Sequence, residues 1–163
     1  MTTKTAFLAG AATAYAARAA LIRGLHAKFA ADVTKLNAGD YTSLLDAFAE
    51  NATLVFTEND TRWSGTYEGK AAIERFLQNF TAARLQGEIK EVFVGGPPWR
   101  MTLLARFDDH ADAPDGGRIY ENRTVLVIRT RWGKIVHQED FYVDTVRMEA
   151  FDRKLTELGV VAA

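Results

Sequence analysis

Apolar residues recur at helical spacing over residues 6–36, where Leu21, Ile22, Leu25, Phe29, Val33 and Leu36 follow an alanine-rich start. Alanine is the best intrinsic helix former, so the pattern predicts one long helix. Asn37-Ala38-Gly39-Asp40 ends it, with Gly39 suited to a left-handed cap. Asp40 or Thr42 is placed to cap a second, short helix carrying Leu44, Leu45 and Phe48. Residues 53–57 and 61–67 read as the two strands of a hairpin, turned at Glu58-Asn59-Asp60. Ile73, Phe76, Leu77 and Phe80 space a helix over residues 71–83. Strands are then predicted over 87–94, 99–108, 119–129 and 134–144. They are separated by Gly95-Gly96-Pro97-Pro98, by a polar loop over 109–117, and by a turn at Arg131-Trp132-Gly133. A terminal helix covers 148–158. Helices followed by a mostly antiparallel sheet predict an α+β fold.

Composition narrows the picture. The chain has 163 residues, enough for one domain with a real core. The net charge is -1 and the Lys and Arg residues are scattered. Neither a nucleic-acid surface nor a polybasic membrane patch is expected. With no cysteine, disulfides, thiol catalysis and thiolate metal sites are excluded. Lys4 before Ala6-Phe7-Leu8-Ala9 imitates a short secretory signal, but Arg18 and Arg23 interrupt the run. It is also too short and too weakly apolar to span a bilayer. The expectation is an alanine-rich helical extension over 1–20, lying on the body or a partner chain, before a domain over 21–163. A cytoplasmic location is expected.

The stretch Trp63-Ser64-Gly65-Thr66-Tyr67-Glu68-Gly69-Lys70-Ala71-Ala72-Ile73 carries a strand into a glycine and a helix out of it. With Asn37-Ala38-Gly39-Asp40-Tyr41 and Phe48-Ala49-Glu50-Asn51-Ala52 upstream, it resembles the nuclear-transport-factor-2-like superfamily, in its SnoaL-like or ketosteroid-isomerase-like branch. That resemblance implies one curved sheet and a few helices forming a cone, or α+β barrel, around an apolar pocket. One such fold hosts many chemistries.

The resemblance also suggests a site. Limonene-epoxide-hydrolase-like relatives carry an Arg-x-Asp on a middle strand and an Asp on the last one. Arg106-Phe107-Asp108 and Asp140 stand at similar places here. An Arg between two carboxylates keeps one ionised as a base, while burial raises the other into an acid. The Tyr and Asn that orient a water in those relatives correspond to Leu54 and Phe56. The steroid-isomerase positions fall near Asp32, Phe56 and Leu126, so that isomerisation is not expected unless Glu58 or Asp60 reaches inward.

Strand side chains alternate faces. On that basis Arg100, Thr102, Leu104, Arg106 and Asp108 share one face, and Val136, Gln138, Asp140 and Tyr142 another. An extra residue after Asp140 suggests a bulge that would turn His137 or Glu139 inward. His137 suits proton transfer near neutral pH, although a lone strand histidine is more often a satisfied surface or interface residue. The expected pocket lining is Asn122, Trp63, Tyr67, Phe56, Tyr120, Gln138, Leu104 and Trp99, the aromatics serving equally as plain core. The Asp-rich run from Asp108 to Gly117 fails the calcium-loop spacing, so no metal is expected. Gly95-Gly96-Pro97-Pro98 lacks the N–H donors of a phosphate loop. Two readings remain. In one the chain is a cofactor-free acid/base enzyme acting on a small apolar molecule through Asp140, Arg106, Asp108 and His137. In the other it is a non-catalytic ligand-binding or dimerisation domain. A homodimer through the outer sheet face is expected in either, with Trp132 at a hairpin tip as a dimer contact if exposed.

Overall fold

A computed structural model describes residues 3–113 and 115–160. Pro114, within the predicted polar loop, lies outside the described residues. The chain divides into two compact units, Met1–Ala31 and Asp32–Ala163. The first consists of most of a long helix, α1 (Thr3–Asn37). No helix among the described residues is long and apolar enough to cross a membrane.

The second unit opens with the last turn of α1, where Asp32 and Val33 are buried. Then come α2 (Thr42–Ala47), β1 (Phe48–Phe56), β2 (Gly65–Glu68), α3 (Lys70–Ala82), β3 (Gln86–Gly95), β4 (Thr102–Asp112), β5 (Arg118–Arg131), β6 (Lys134–Tyr142) and α4 (Thr145–Glu157). One sheet runs in the order β2-β1-β6-β5-β4-β3. Its neighbours are antiparallel except β1 and β6, which are parallel. The fold class is therefore α+β. The sheet curves but stays open, with β2 and β3 as edges, so "barrel" overstates its closure.

Local chemistry explains the joints. Gly69 adopts φ +79°, a left-handed value that a side chain would strain, and its N–H donates to Ala52 O at 2.8 Å. Its carbonyl then accepts from Ile73 N at 3.1 Å, starting α3, which buries Ile73, Phe76 and Leu77 on one stripe. Trp132 and Gly133 both take positive φ, the pattern of a two-residue I′ hairpin between β5 and β6. Trp132 stands exposed at that tip. Asp40 contributes at α2 by accepting from Thr42 N at 3.0 Å.

Three sequence expectations are corrected. Strand β4 continues to Asp112, so residues 109–112 are strand rather than loop, in register with β5 up to Ala111 opposite Tyr120 and, after a one-residue shift, with Asp112 opposite Arg118. Trp63 lies in the β1–β2 connection, not on the return strand. The bulge expected beyond Asp140 falls earlier. Thr130 pairs with Ile135 and Arg129 with His137, leaving Val136 as the extra residue. That shift turns Ile135 inward and leaves His137 and Glu139 on the other face.

The core is aromatic. Phe56 lies 4.9 Å from Tyr142, 5.6 Å from Phe76 and 6.5 Å from Trp63 between ring centres. Phe151 of α4 stacks on Trp63 at 5.8 Å and on Tyr120 at 4.4 Å. Burying each such ring is worth about 1.5–3 kcal/mol, and the offset stacks add to it.

Candidate functional site

The buried face of the sheet is set by alternation. Strand β4 turns Leu103, Ala105, Phe107, Asp109 and Ala111 inward; β5 turns Tyr120, Asn122, Thr124 and Ile128; β6 turns Gln138, Asp140 and Tyr142. Two carboxyl groups therefore lie inside an otherwise largely apolar interior.

Asp140 is only 5% exposed. Its Oδ1 accepts from Gln138 Nε2 at 2.9 Å, and its backbone carbonyl accepts from Thr57 Oγ1 at 2.7 Å. Burial raises its carboxyl from the usual range to about 7; the Gln138 hydrogen bond opposes this, and the charges of Asp109 and Glu139 add to it. Asp109 is equally buried, and Thr124 Oγ1 donates to its Oδ2. Burial raises Asp109 to about 7 as well, opposed by the Thr124 hydroxyl and reinforced by Asp108. Tyr142 lies in the field of both acids. Burial first, then Asp109, Tyr120 and Asp140, hold its phenol well above the ordinary tyrosine range.

The other expected residues divide clearly. Arg106 and Asp108 point to the outer face, one residue out of phase with Asp109. Arg106 Nη1 donates to Asp108 Oδ1 at 3.1 Å, its Nη2 lies 3.7 Å from Glu91, and Lys90 lies 3.6 Å from Asp108. The structure therefore does not bring Arg106 to Asp140, and the acid near Asp140 is Asp109 instead. His137 sits on the outer face 3.8 Å from Glu139. Leu104 is exposed on that face, and Trp99 is exposed between β3 and β4. Glu58 and Asp60 are exposed too, and Asp32 accepts from Ser43 Oγ at 2.6 Å.

Phe56, Trp63, Tyr120 and Gln138 are buried inward, with Tyr67 half-buried against Phe76. Tyr120 packs on α4, its hydroxyl against Met148 Sδ. Asn122 is engaged structurally: Nδ2 donates to Asp144 O at 2.8 Å, and Oδ1 accepts from Asp144 N at 3.2 Å. This amide clasps the β6–α4 junction, where Asp144 caps α4 by accepting from Arg147 N at 2.9 Å. At its far end Arg62 holds α4, donating to Asp152 and, at 2.9 Å, to Val160 O.

Asp109 is the functional candidate that sequence reasoning missed. The run Asp108-Asp109-His110-Ala111-Asp112 looks like a solvated loop by composition. The signal was present in the two-residue alternation of Ala105, Phe107 and Ala111, which places position 109 inside.

Two grooves adjoin this region. One of about 640 Å³ is lined by Asp109, His110, Asn122, Arg123, Asp144 and Arg147 among others. A second of about 470 Å³ follows the β5–α4 seam, with Tyr120 and Phe151 in its lining and Arg118, Arg147 and Lys154 beside them. Asp140 lines neither.

Comparison with known proteins adds a family and a fold. The model of the SnoaL-like domain matches residues 27–138. No curated protein matches the sequence significantly. Among solved structures, an NTF2-like protein of Burkholderia pseudomallei is 20% identical, with a TM-score of 0.62 over 78% of this chain and 95% of its own. TerC, co-crystallised with polyporic acid, is 18% identical with a TM-score of 0.60 over 77% and 95%. The epoxide hydrolase/cyclase-like enzyme SalBIII, described for pyran ring formation in the polyether salinomycin, is 21% identical with a TM-score of 0.57 over 77% and 94%. At these identities the likeness is one of fold.

Proposed function

Because the chain belongs to the SnoaL-like domain family, whose model covers residues 27–138, we propose that it is a cofactor-free acid/base enzyme acting on a small apolar molecule. The observation that carries this reading is Asp140, a carboxyl buried on the inner sheet face and raised to about 7. Such a group is part protonated at neutral pH and can both take and return a proton. Asp109, raised to about 7 nearby, supplies a second proton site in the same interior. Leu54 and Phe56, both buried, offer no polar group to fix an attacking water. That favours proton relocation, as in isomerisation, dehydration or cyclisation, over water addition. SalBIII, of the same fold, is described as acting in ring formation, which is compatible with this class.

The test is a screen of ketones, epoxides and polyketide-like phenols, followed by Asp140→Asn on any substrate found. Turnover is expected to fall by about 10²–10⁴-fold, the usual worth of a positioned acid or base, with the folded state retained. An Asp140→Asn protein that keeps its turnover would sink the reading. A second copy of the chain is proposed as partner on the outer sheet face, where Phe93, Leu104 and Phe141 are exposed among charges of both signs.

A further inference from the structure

We propose that the groove between β5 and α4 binds a small amphipathic carboxylate, an aromatic or alkyl body carrying one negative charge. The site is separate from the buried acids of the inner sheet face, and it stands whether or not Asp140 moves a proton.

The groove exists because two neighbouring strands stop at different places. Strand β6 ends at Tyr142, opposite Thr124, while β5 begins at Arg118. Residues 118–123 of β5 therefore have β4 on one side and no strand of β6 on the other. The chain turns into α4 beside this edge instead. Val143 N donates to Arg123 O at 3.0 Å, and Arg147 Nη1 donates to Glu121 O at 3.3 Å. A paired strand would lie about 4.8 Å away. A helix is about 10 Å across with its side chains and cannot follow the edge that closely. A space of about 470 Å³ is left along the seam, within the size range of small-molecule sites.

Helix α4 turns Arg147, Ala150, Phe151 and Lys154 toward this space. They are spaced i, i+3, i+4 and i+7, so one helix face supplies them all. Tyr120 and Phe151, stacked at 4.4 Å between ring centres, close the floor. Ile119 and Ala150 add apolar surface above it, and the single methyl of Ala150 leaves the space open.

The charges around this apolar strip are one-sided. Arg118, Arg147 and Lys154 line it, against Glu121 as the one acid in the lining. The other counter-charges stand outside the lining. Asp112 holds Arg118 Nε at 2.5 Å, Asp144 holds Arg147 Nε at 3.1 Å, and Glu157 holds Lys154 at 3.1 Å. Arg118 Nη1 reaches Glu121 at 2.8 Å. These contacts fix the cations in place, which lowers the cost of ordering them on binding. They leave Nη2 of both guanidiniums, and further protons of the Lys154 ammonium, to donate to a ligand. A carboxylate matches the flat fork of a guanidinium. The apolar floor asks for a body attached to it, which a bare inorganic anion lacks.

The test uses the full ¹⁵N-labelled chain and two probes of matched shape, 2-naphthoate and its neutral analogue 2-naphthamide. Calorimetry gives the affinities, and backbone amide shifts give the place. The carboxylate is expected to bind about tenfold tighter than the amide at low salt, the value of one charge-assisted hydrogen bond. The gap should narrow at high salt, because the cations are partly exposed. Amides of residues 118–121 and 147–154 should move. Arg118→Gln with Lys154→Gln, both at exposed positions, should erase the preference for the carboxylate. Ala150→Trp, also at an exposed position, should fill the space and abolish binding of both probes. Phosphate alone should move none of these amides at the concentration where 2-naphthoate saturates. Equal affinity for the two probes, shifts centred elsewhere, a preference that survives the double variant, or no binding of either probe overturns the inference. Asp140→Asn should leave the 2-naphthoate affinity unchanged, so the seam site and the acid/base reading fail or survive separately.

Discussion

The two faces of the sheet carry the same chemical groups to opposite effect. On the outer face Asp108 lies between Arg106 and Lys90, with all three side chains 30–45% exposed to water. On the inner face, one residue along the same strand, Asp109 has lost its water and gained the Thr124 hydroxyl. Asp140 likewise has Gln138. Solvated charges beside counter-charges cost little and contribute little. Buried carboxyls without a cation hold their protons into the neutral range. A cluster containing arginine and aspartate is thus no guide to chemistry until its face is known, and the proton-transfer site proposed above stands on the arginine-poor face.

The largest effect that would separate the faces is on stability against pH. Asp109 and Asp140 bind protons more tightly folded than unfolded, because burial raises both from 3.8 to about 7. Between those values the folded protein carries protons that the unfolded chain has released, so stability falls as pH rises from about 4 to about 7 and is then level. Asp140→Asn should remove its share of that slope and stabilise the protein at pH 8, by at most about 4 kcal/mol at 1.36 kcal/mol per unit. Adding Asp109→Asn should flatten the profile further. Urea titrations from pH 4 to 8 measure this, and a profile that rises over the same window would reverse the assignment of the faces.

Asn122→Ala comes next. It also lies on the inner face, but its role is to clasp Asp144 and accept from Arg123 N, so the cost should be about 3 kcal/mol, the sum of three lost hydrogen bonds, with no change in the pH profile. Arg106→Ala on the outer face should change stability by less than about 1 kcal/mol and leave any turnover intact. A large loss of turnover would mean that the outer face is the active one. Smallest in its effect on the fold is Phe141→Glu, at an exposed outer position. It should leave the melting temperature nearly unchanged while converting a dimer to a monomer by light scattering. A parent already monomeric at high concentration would rule out that interface.

Much of this fold was legible in the sequence because the signals are local. Helical spacing at Ile73, Phe76 and Leu77, glycine at the strand-to-helix joint, and two-residue alternation each act within a few positions. Those patterns also placed Asp140 on a strand beside Gln138, and Phe56 and Trp63 among large apolar neighbours. Three points escaped them. Trp63 sits in the β1–β2 connection rather than on the return strand. The acidic composition of residues 108–112 hid the strand that carries Asp109. The bulge at Val136, which decides that Ile135 faces inward and His137 outward, follows from how β6 pairs with β5.

The sequence alone therefore determined the elements, their order and the family, since each depends on neighbours along the chain. Only the tertiary structure decided which carboxyls are buried on the same face, because a one-residue shift in strand phase moves a side chain across the sheet. Arg106 and Asp140 look like a pair in the linear pattern and are parted by that geometry. Asp109 and Asp140, 31 positions apart by their numbers, share an interior because β4, β5 and β6 lie side by side there.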